Sequence, residues 1–175
     1  MLSPTISEDR SALAALLDGF STAARVTAAT ADGHRDALVA LAVALGRPLP
    51  APVVALYERF LGGDAWFDDG VRGLVRAKPT VQRPFVEPVV LLTPAAARAR
   101  LEEARFPKGW IPSDLLPIFA SPTQVFYLAA DGSILVLGGD RRLRPFAEDL
   151  LHLLKRIQRA QMRVARTALR PRRPN

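Results

Sequence analysis

The feature that most constrains this chain is a predicted helix that is followed by a break with the letters LGRPLP. Its apolar side chains recur at the i, i+3, i+7 spacing of one helix face, at Leu38, Leu41 and Leu45. Gly46 predicts the end of the helix because glycine readily takes the left-handed backbone conformation of a helix terminus. Pro48 supports the same boundary, since proline cannot continue the hydrogen-bond ladder of a helix.

A second helix is predicted directly after this break. Pro50 and Pro52 suit its first turn, where backbone N–H groups have no acceptor within the helix. Its apolar face again has helical spacing and consists of Val53, Leu56, Tyr57 and Phe60. The pair Gly62-Gly63 predicts its end. These residues pack and turn the chain, so they point to a family defined by its architecture rather than by an active site.

Composition favours one folded domain in the cytoplasm. The chain has 175 residues, of which 49% are hydrophobic, enough for a single core. It has no cysteine, which excludes disulfides, thiolate zinc sites and thiol catalysis. The first ten letters, MLSPTISEDR, lack the apolar segment of a signal peptide. No run approaches the roughly 20 apolar residues of a membrane helix, so we expect no membrane span.

The net charge of +7 is concentrated at the C-terminus. From Lys155 onwards the chain has eight basic residues and no acidic one. The other 16 of the 24 basic residues nearly balance all 17 acidic residues within residues 1–154, which leaves a net charge of −1 there. Arginines recur at three- and four-residue spacing in this region, at Arg156, Arg159, Arg163, Arg166 and Arg170. On a helix they would form one cationic stripe.

Three further helices are predicted. The first begins near Ser7, a residue type that caps helix N-termini well. Another starts at Thr93-Pro94, with threonine as the cap and proline in the first turn, and runs to about Arg105. The last opens at residues 144–146. Its large apolar residues stop near its middle, so we expect strong burial up to about Arg156 and weak burial beyond it.

The remaining sequence predicts strands and loops. The apolar runs 124–129 and 133–137 flank Asp131-Gly132, a strong hairpin turn pair. Because these runs are apolar almost throughout, we expect strands covered on both faces or half-covered by helices. Short strands are predicted near 71–76 and 85–92, and proline-rich residues 106–122 are interpreted as a loop. The sequence thus predicts one α+β domain, with N-terminal helices packed on a mostly antiparallel sheet and a long C-terminal helix.

The order of these elements resembles the SUKH superfamily, which includes fungal cell-wall assembly regulators and bacterial toxin-immunity proteins. The matching residues in the first half are Leu45, Gly46, Leu49, Pro50, Tyr57, Phe60, Gly62 and Gly63. Downstream, the letters LLTPAAARARLEEA and then Trp110, Ile111 and Pro112 are similar to a family helix and the Trp-Ile-Pro-like segment that follows it. The Asp131-Gly132 hairpin and a helix over Phe146–Leu154 complete the resemblance.

This resemblance implies a division of the chain and a function. Residues 33–157 would form the SUKH-like domain, 1–32 a helical extension, and 158–175 a basic tail, helical or disordered. The family implies a non-enzymatic protein without a cofactor that binds and occludes a cognate toxin. The alternative is a nucleic-acid-associated or scaffolding protein that acts through the tail. The toxin, the binding face and the oligomeric state stay open.

Two loops combine aromatic and charged residues. Trp66 is followed by Asp68 and Asp69, and Trp110 lies in the proline-rich segment. Neighbouring carboxylates suit a metal or acid–base chemistry. Aromatic residues rimmed by charge are typical of binding hot spots, which makes these four residues candidate partner contacts. The structural alternative is a solvated loop whose aromatic side chains pack on the core.

The basic stripe supplies the other candidate contacts, Arg159, Arg163 and Arg166. Such a stripe suits phosphates, an acidic partner or an anionic membrane, although the small residues opposite it argue against a membrane. The structural alternative is a solvated tail. No catalytic constellation is evident, because His34 and His152 are far apart and Gly138-Gly139 lacks the Lys-Ser or Lys-Thr of a phosphate loop.

Overall fold

Six antiparallel strands, each hydrogen-bonded to the next one in sequence, form the sheet of this α+β fold. The computed structural model describes residues 4–20, 26–27, 29–67, 87–105 and 111–168. Within these ranges the strands are β1 (Ala65–Phe67), β2 (Val89–Leu91), β3 (Leu116–Ala120), β4 (Val125–Leu128), β5 (Ile134–Leu137) and β6 (Leu143–Ala147). The helices are α1 (Pro4–Asp18), α2 (Ala31–Leu45), α3 (Ala51–Arg59), α4 (Pro94–Arg105) and α5 (Leu150–Ala168).

The break between α2 and α3 confirms the prediction made from the LGRPLP letters. Gly46 ends α2 in the left-handed conformation, with φ 77°, and its N–H donates to the carbonyl groups of Ala42 and Val43. Pro50 precedes the first residue of α3. Gly62 is also left-handed, with φ 81°, and a Cβ atom there would lie 2.6 Å from the carbonyl oxygen of Leu92. Glycine is therefore required at residue 62 for both backbone conformation and close approach.

The hairpin predicted around Asp131-Gly132 is present as β4 and β5. Phe126 and Leu128 of β4 lie in the main apolar cluster with the helices. Tyr127, between them, points to the opposite face, because successive side chains of a strand alternate. There it packs with Ile111 and Leu115 in a second cluster. Strand β4 is thus covered on both faces, one of the two arrangements expected from its sequence.

Two sequence interpretations in the second half of the chain are wrong. Residues 106–122 were expected to form a loop, but Leu116–Ala120 of this segment is buried strand β3. The last helix was expected to open at residues 144–146, yet these residues belong to edge strand β6. Proline is tolerated there because an edge strand has one unpaired side. Helix α5 begins at Leu150 instead.

The strand predicted over 85–92 is confirmed in its second half as β2, while 71–76 lies outside the described residues. Helix α1 spans the expected region and places Leu13, Leu17 and the following Phe20 in the main apolar cluster. The described part of the predicted extension therefore packs with the rest of the domain. At the other end, α5 runs as one helix to Ala168, past the expected domain limit at residue 157.

Candidate binding surfaces

The first half of α5 is part of the core. Leu153, Leu154 and Ile157 are completely buried, in agreement with the burial expected up to about Arg156. Arg156 folds back over β6, where its guanidinium carbon lies 3.9 Å from the ring centroid of Phe146. Its Nη1 also donates to the carbonyl oxygen of Phe146. Partial burial lowers the pKa of Arg156 by removing solvent from its charge. This arginine therefore contributes to packing, whereas Arg159 and Arg163, which follow it on α5, are exposed.

Gln161 is the point at which α5 reaches the far edge of the sheet. Its side-chain amide donates to the carbonyl oxygen of Trp66 in edge strand β1. The next residue, Met162, is 48% exposed. Helix α5 continues for about two more turns beyond this contact, through Ala168.

The outer face of this second half is cationic. Arg159 and Arg163 are both exposed and lie one helical turn apart. Arg166 follows at the next i+3 position of the same helix. We refer to Arg159, Arg163 and Arg166 as the basic ridge. The nearest carboxylate that α5 or its N-terminal turn supplies is Asp149, ten residues before Arg159, or about 15 Å along a helix at 1.5 Å per residue.

A second surface is an open apolar groove of about 840 Å³ between α1, α3 and the start of α5. Its apolar walls include Leu13 and Leu17 of α1, Val54 and Ala55 of α3, and Leu150 and Leu151 of α5. Three separate helices build it, so no local sequence pattern could have revealed it. We refer to it as the three-helix groove.

The rim of the three-helix groove is polar and mainly acidic. Glu58 and Asp149 are exposed there, while Arg59 forms an ion pair with Asp18. Asp149 also accepts a 2.7 Å hydrogen bond from the backbone N–H of His152 and so caps the start of α5. Because the Arg59–Asp18 pair is neutral, Glu58 and Asp149 leave the rim with a net negative charge.

The structure buries Trp66, so its side chain is not available as a surface contact. Trp66 lies in strand β1 rather than in the loop expected from the sequence. It is only 2% exposed, in line with the alternative in which its aromatic side chain packs on the core. Phe60 and Phe119 meet its indole nearly edge to face, at interplanar angles of 77° and 73°. No hydrogen-bond acceptor within the described part of the chain reaches the indole Nε1. Asp68, Asp69 and Trp110 lie outside the described residues.

The two histidines lie in different places, as their spacing in the sequence predicted. His34 is in α2, where its Nε2 lies 2.6 Å from the carbonyl oxygen of Tyr57. The Tyr57 hydroxyl donates to the carbonyl oxygen of Leu92, and burial raises its pKa. His152 is exposed near Glu148 and Asp149. In the described ranges no group of three or more His, Cys, Asp and Glu residues is suited to hold a metal ion.

No helix in the described part of the chain combines the length and the apolar character that a bilayer crossing requires. A scan against known protein families and a search of curated proteins found no match to this chain. The resemblance to the SUKH superfamily therefore stays a prediction carried by the order of the elements and by the residues named above.

Proposed function

We propose that this chain is a non-enzymatic binding protein of the immunity type, which neutralises a cognate toxin in the cytoplasm by occluding it. The observation that carries the proposal is the three-helix groove. It is concave, its walls are apolar, and its exposed acidic rim can orient a partner. The resemblance of the element order to toxin-immunity domains supplies the kind of partner, a toxin protein.

The groove suits a protein segment that carries apolar side chains next to a basic residue. Apolar side chains of such a segment would lose water on entering between α1 and α3, which favours association by about 25 cal/mol per Å² of apolar surface buried. Glu58 and Asp149 would attract the basic residue, speed the encounter and set its orientation. Neutralisation then needs only tight coverage of the toxin's own active surface, without turnover.

A co-expression experiment tests the proposal. Cells that express the toxin encoded beside this protein should survive when the wild-type chain is present. The variant Val54→Arg, which places a charge on the groove wall, should lose protection and measurable toxin binding. Val43→Arg is the matched control, because it makes the same change at a valine that is 75% exposed on α2, away from the groove.

The test compares the protection that the two variants give against the toxin. Urea denaturation should first establish that both remain folded. Protection by Val43→Arg together with loss of protection by Val54→Arg supports the groove as the contact surface. Equal protection by both folded variants would exclude the groove. Survival no better than with an empty vector would overturn the immunity function itself.

A further inference from the structure

We propose that the basic ridge of α5 binds the sugar–phosphate backbone of double-stranded nucleic acid without sequence preference. This function lies beyond toxin occlusion and uses a different surface. The sequence alone left three partners open for these arginines: phosphates, an acidic protein and an anionic membrane. The path of α5 and the exposure of its side chains favour the first.

The charge is presented by one rigid element. Gln161 ties α5 to the carbonyl group of Trp66, and the helix then continues to Ala168. Arg159 and Arg163 are exposed on consecutive turns, about 6 Å apart along the axis. A duplex carries one negative charge per about 1.7 Å of its axis. A helix that holds arginines in a row can therefore meet several phosphates at once, in any register along the duplex.

The charged residues in the second half of α5 are all basic. No acidic residue follows Asp149 in the sequence, whereas the exposed arginines Arg35 of α2 and Arg98 of α4 each have an acidic partner within one turn of their own helix. A stripe of basic residues along one helix, on a domain that is otherwise close to neutral, is the electrostatic pattern of a nucleic-acid-binding surface.

The other two partners fit less well. A membrane-bound helix inserts a broad apolar face into the lipid. In α5 that face is already packed against the domain through Ile157, and Met162 is the exposed large apolar residue among its described side chains. Protein interfaces depend on buried apolar or aromatic anchors at their centre. A row of arginines beside a single methionine matches a uniform polyanion better than a protein surface of mixed charge.

The same arrangement predicts an absence of sequence specificity. Within the described part of the chain, about two turns of α5 follow the contact with β1, which is a short length to lie in a major groove. Arginines on its outer face would contact phosphates from the side of the duplex. Phosphate contacts determine position and affinity but carry no sequence information. We therefore expect equal binding to duplexes of unrelated sequence.

Fluorescence anisotropy of the full chain with labelled DNA duplexes of two unrelated sequences tests the proposal. Binding should weaken linearly in log K against log salt concentration. Neutralising Arg159 and Arg163 together, as Arg159→Gln with Arg163→Gln, should reduce the magnitude of this slope by about 2, since each lost phosphate contact removes about 1. The matched control is Arg35→Gln with Arg98→Gln, which makes the same change in net charge at two exposed arginines and should leave the slope unchanged.

In the DNA measurements, three results would overturn the proposal: a flat salt response of the wild type, an equal loss of slope in both double variants, or binding of one duplex sequence alone. Vesicles that contain phosphatidylserine provide the test against a lipid surface, and tighter ridge-dependent binding to them than to DNA would also overturn it. The ridge variant should still protect cells from the toxin, because the groove is intact. Failure of DNA binding and failure of protection are thus separate outcomes.

Discussion

The two halves of α5 are one continuous helix, yet different forces hold them. From Leu150 to Ile157, large apolar side chains are buried against the sheet and α1. Beyond Gln161 the two described side chains, those of Met162 and Arg163, are exposed. The second half extends a helix already nucleated by packing, and its alanine, arginine, glutamine and methionine residues have high helix propensity. A helix boundary therefore does not mark the end of the core.

The largest effect is expected from removing a large side chain from the buried half, which tests whether the two halves of α5 differ in burial. Leu153→Ala should lower the free energy of unfolding by about 2–5 kcal/mol, because Leu153 is completely buried and its loss leaves a cavity. Urea denaturation followed by circular dichroism measures the effect. Met162→Ala is the control in the exposed half and should change stability by no more than about 0.5 kcal/mol. Similar losses in both variants would show that the second half is buried as well.

The contrast between the halves could be predicted from the sequence because the stripe of large apolar residues at helical spacing stops at Ile157. The break after α2 and the β4–β5 hairpin were also predictable, since glycine, proline and Asp-Gly act locally. Strands β3 and β6 were missed for the opposite reason. Each contains a proline, which normally signals a loop or a helix start. Pairing with the neighbouring strands of the sheet outweighs this local signal. The groove was missed because α1, α3 and α5 meet only after folding.

Arg156 lies where the two halves of α5 meet. It is a basic residue, but it belongs to the packed half. Arg156→Ala should lower the free energy of unfolding by about 2 kcal/mol, since it removes a charged hydrogen bond to the Phe146 carbonyl and the contact with the Phe146 ring. Arg156→Lys keeps the charge but loses the planar guanidinium, so it should recover only part of this stability. Urea denaturation measures both. An alanine variant as stable as wild type would show that Arg156 contributes no more to packing than an exposed arginine of the basic ridge.

The smallest change in the free energy of unfolding is expected from a substitution in the basic ridge, and this change should be stabilising rather than destabilising. Arg159 and Arg163 are like charges at i, i+4, a spacing that destabilises a helix by about 0.2–0.5 kcal/mol. Arg159→Gln removes this repulsion and keeps a good helix former, so thermal unfolding should show unchanged or slightly raised stability. The gain should shrink at high salt, which screens the repulsion between exposed charges in the wild type. A clear loss of stability at any salt concentration would mean that Arg159 makes a structural contact like that of Arg156, and the charge of this half would then serve folding rather than binding.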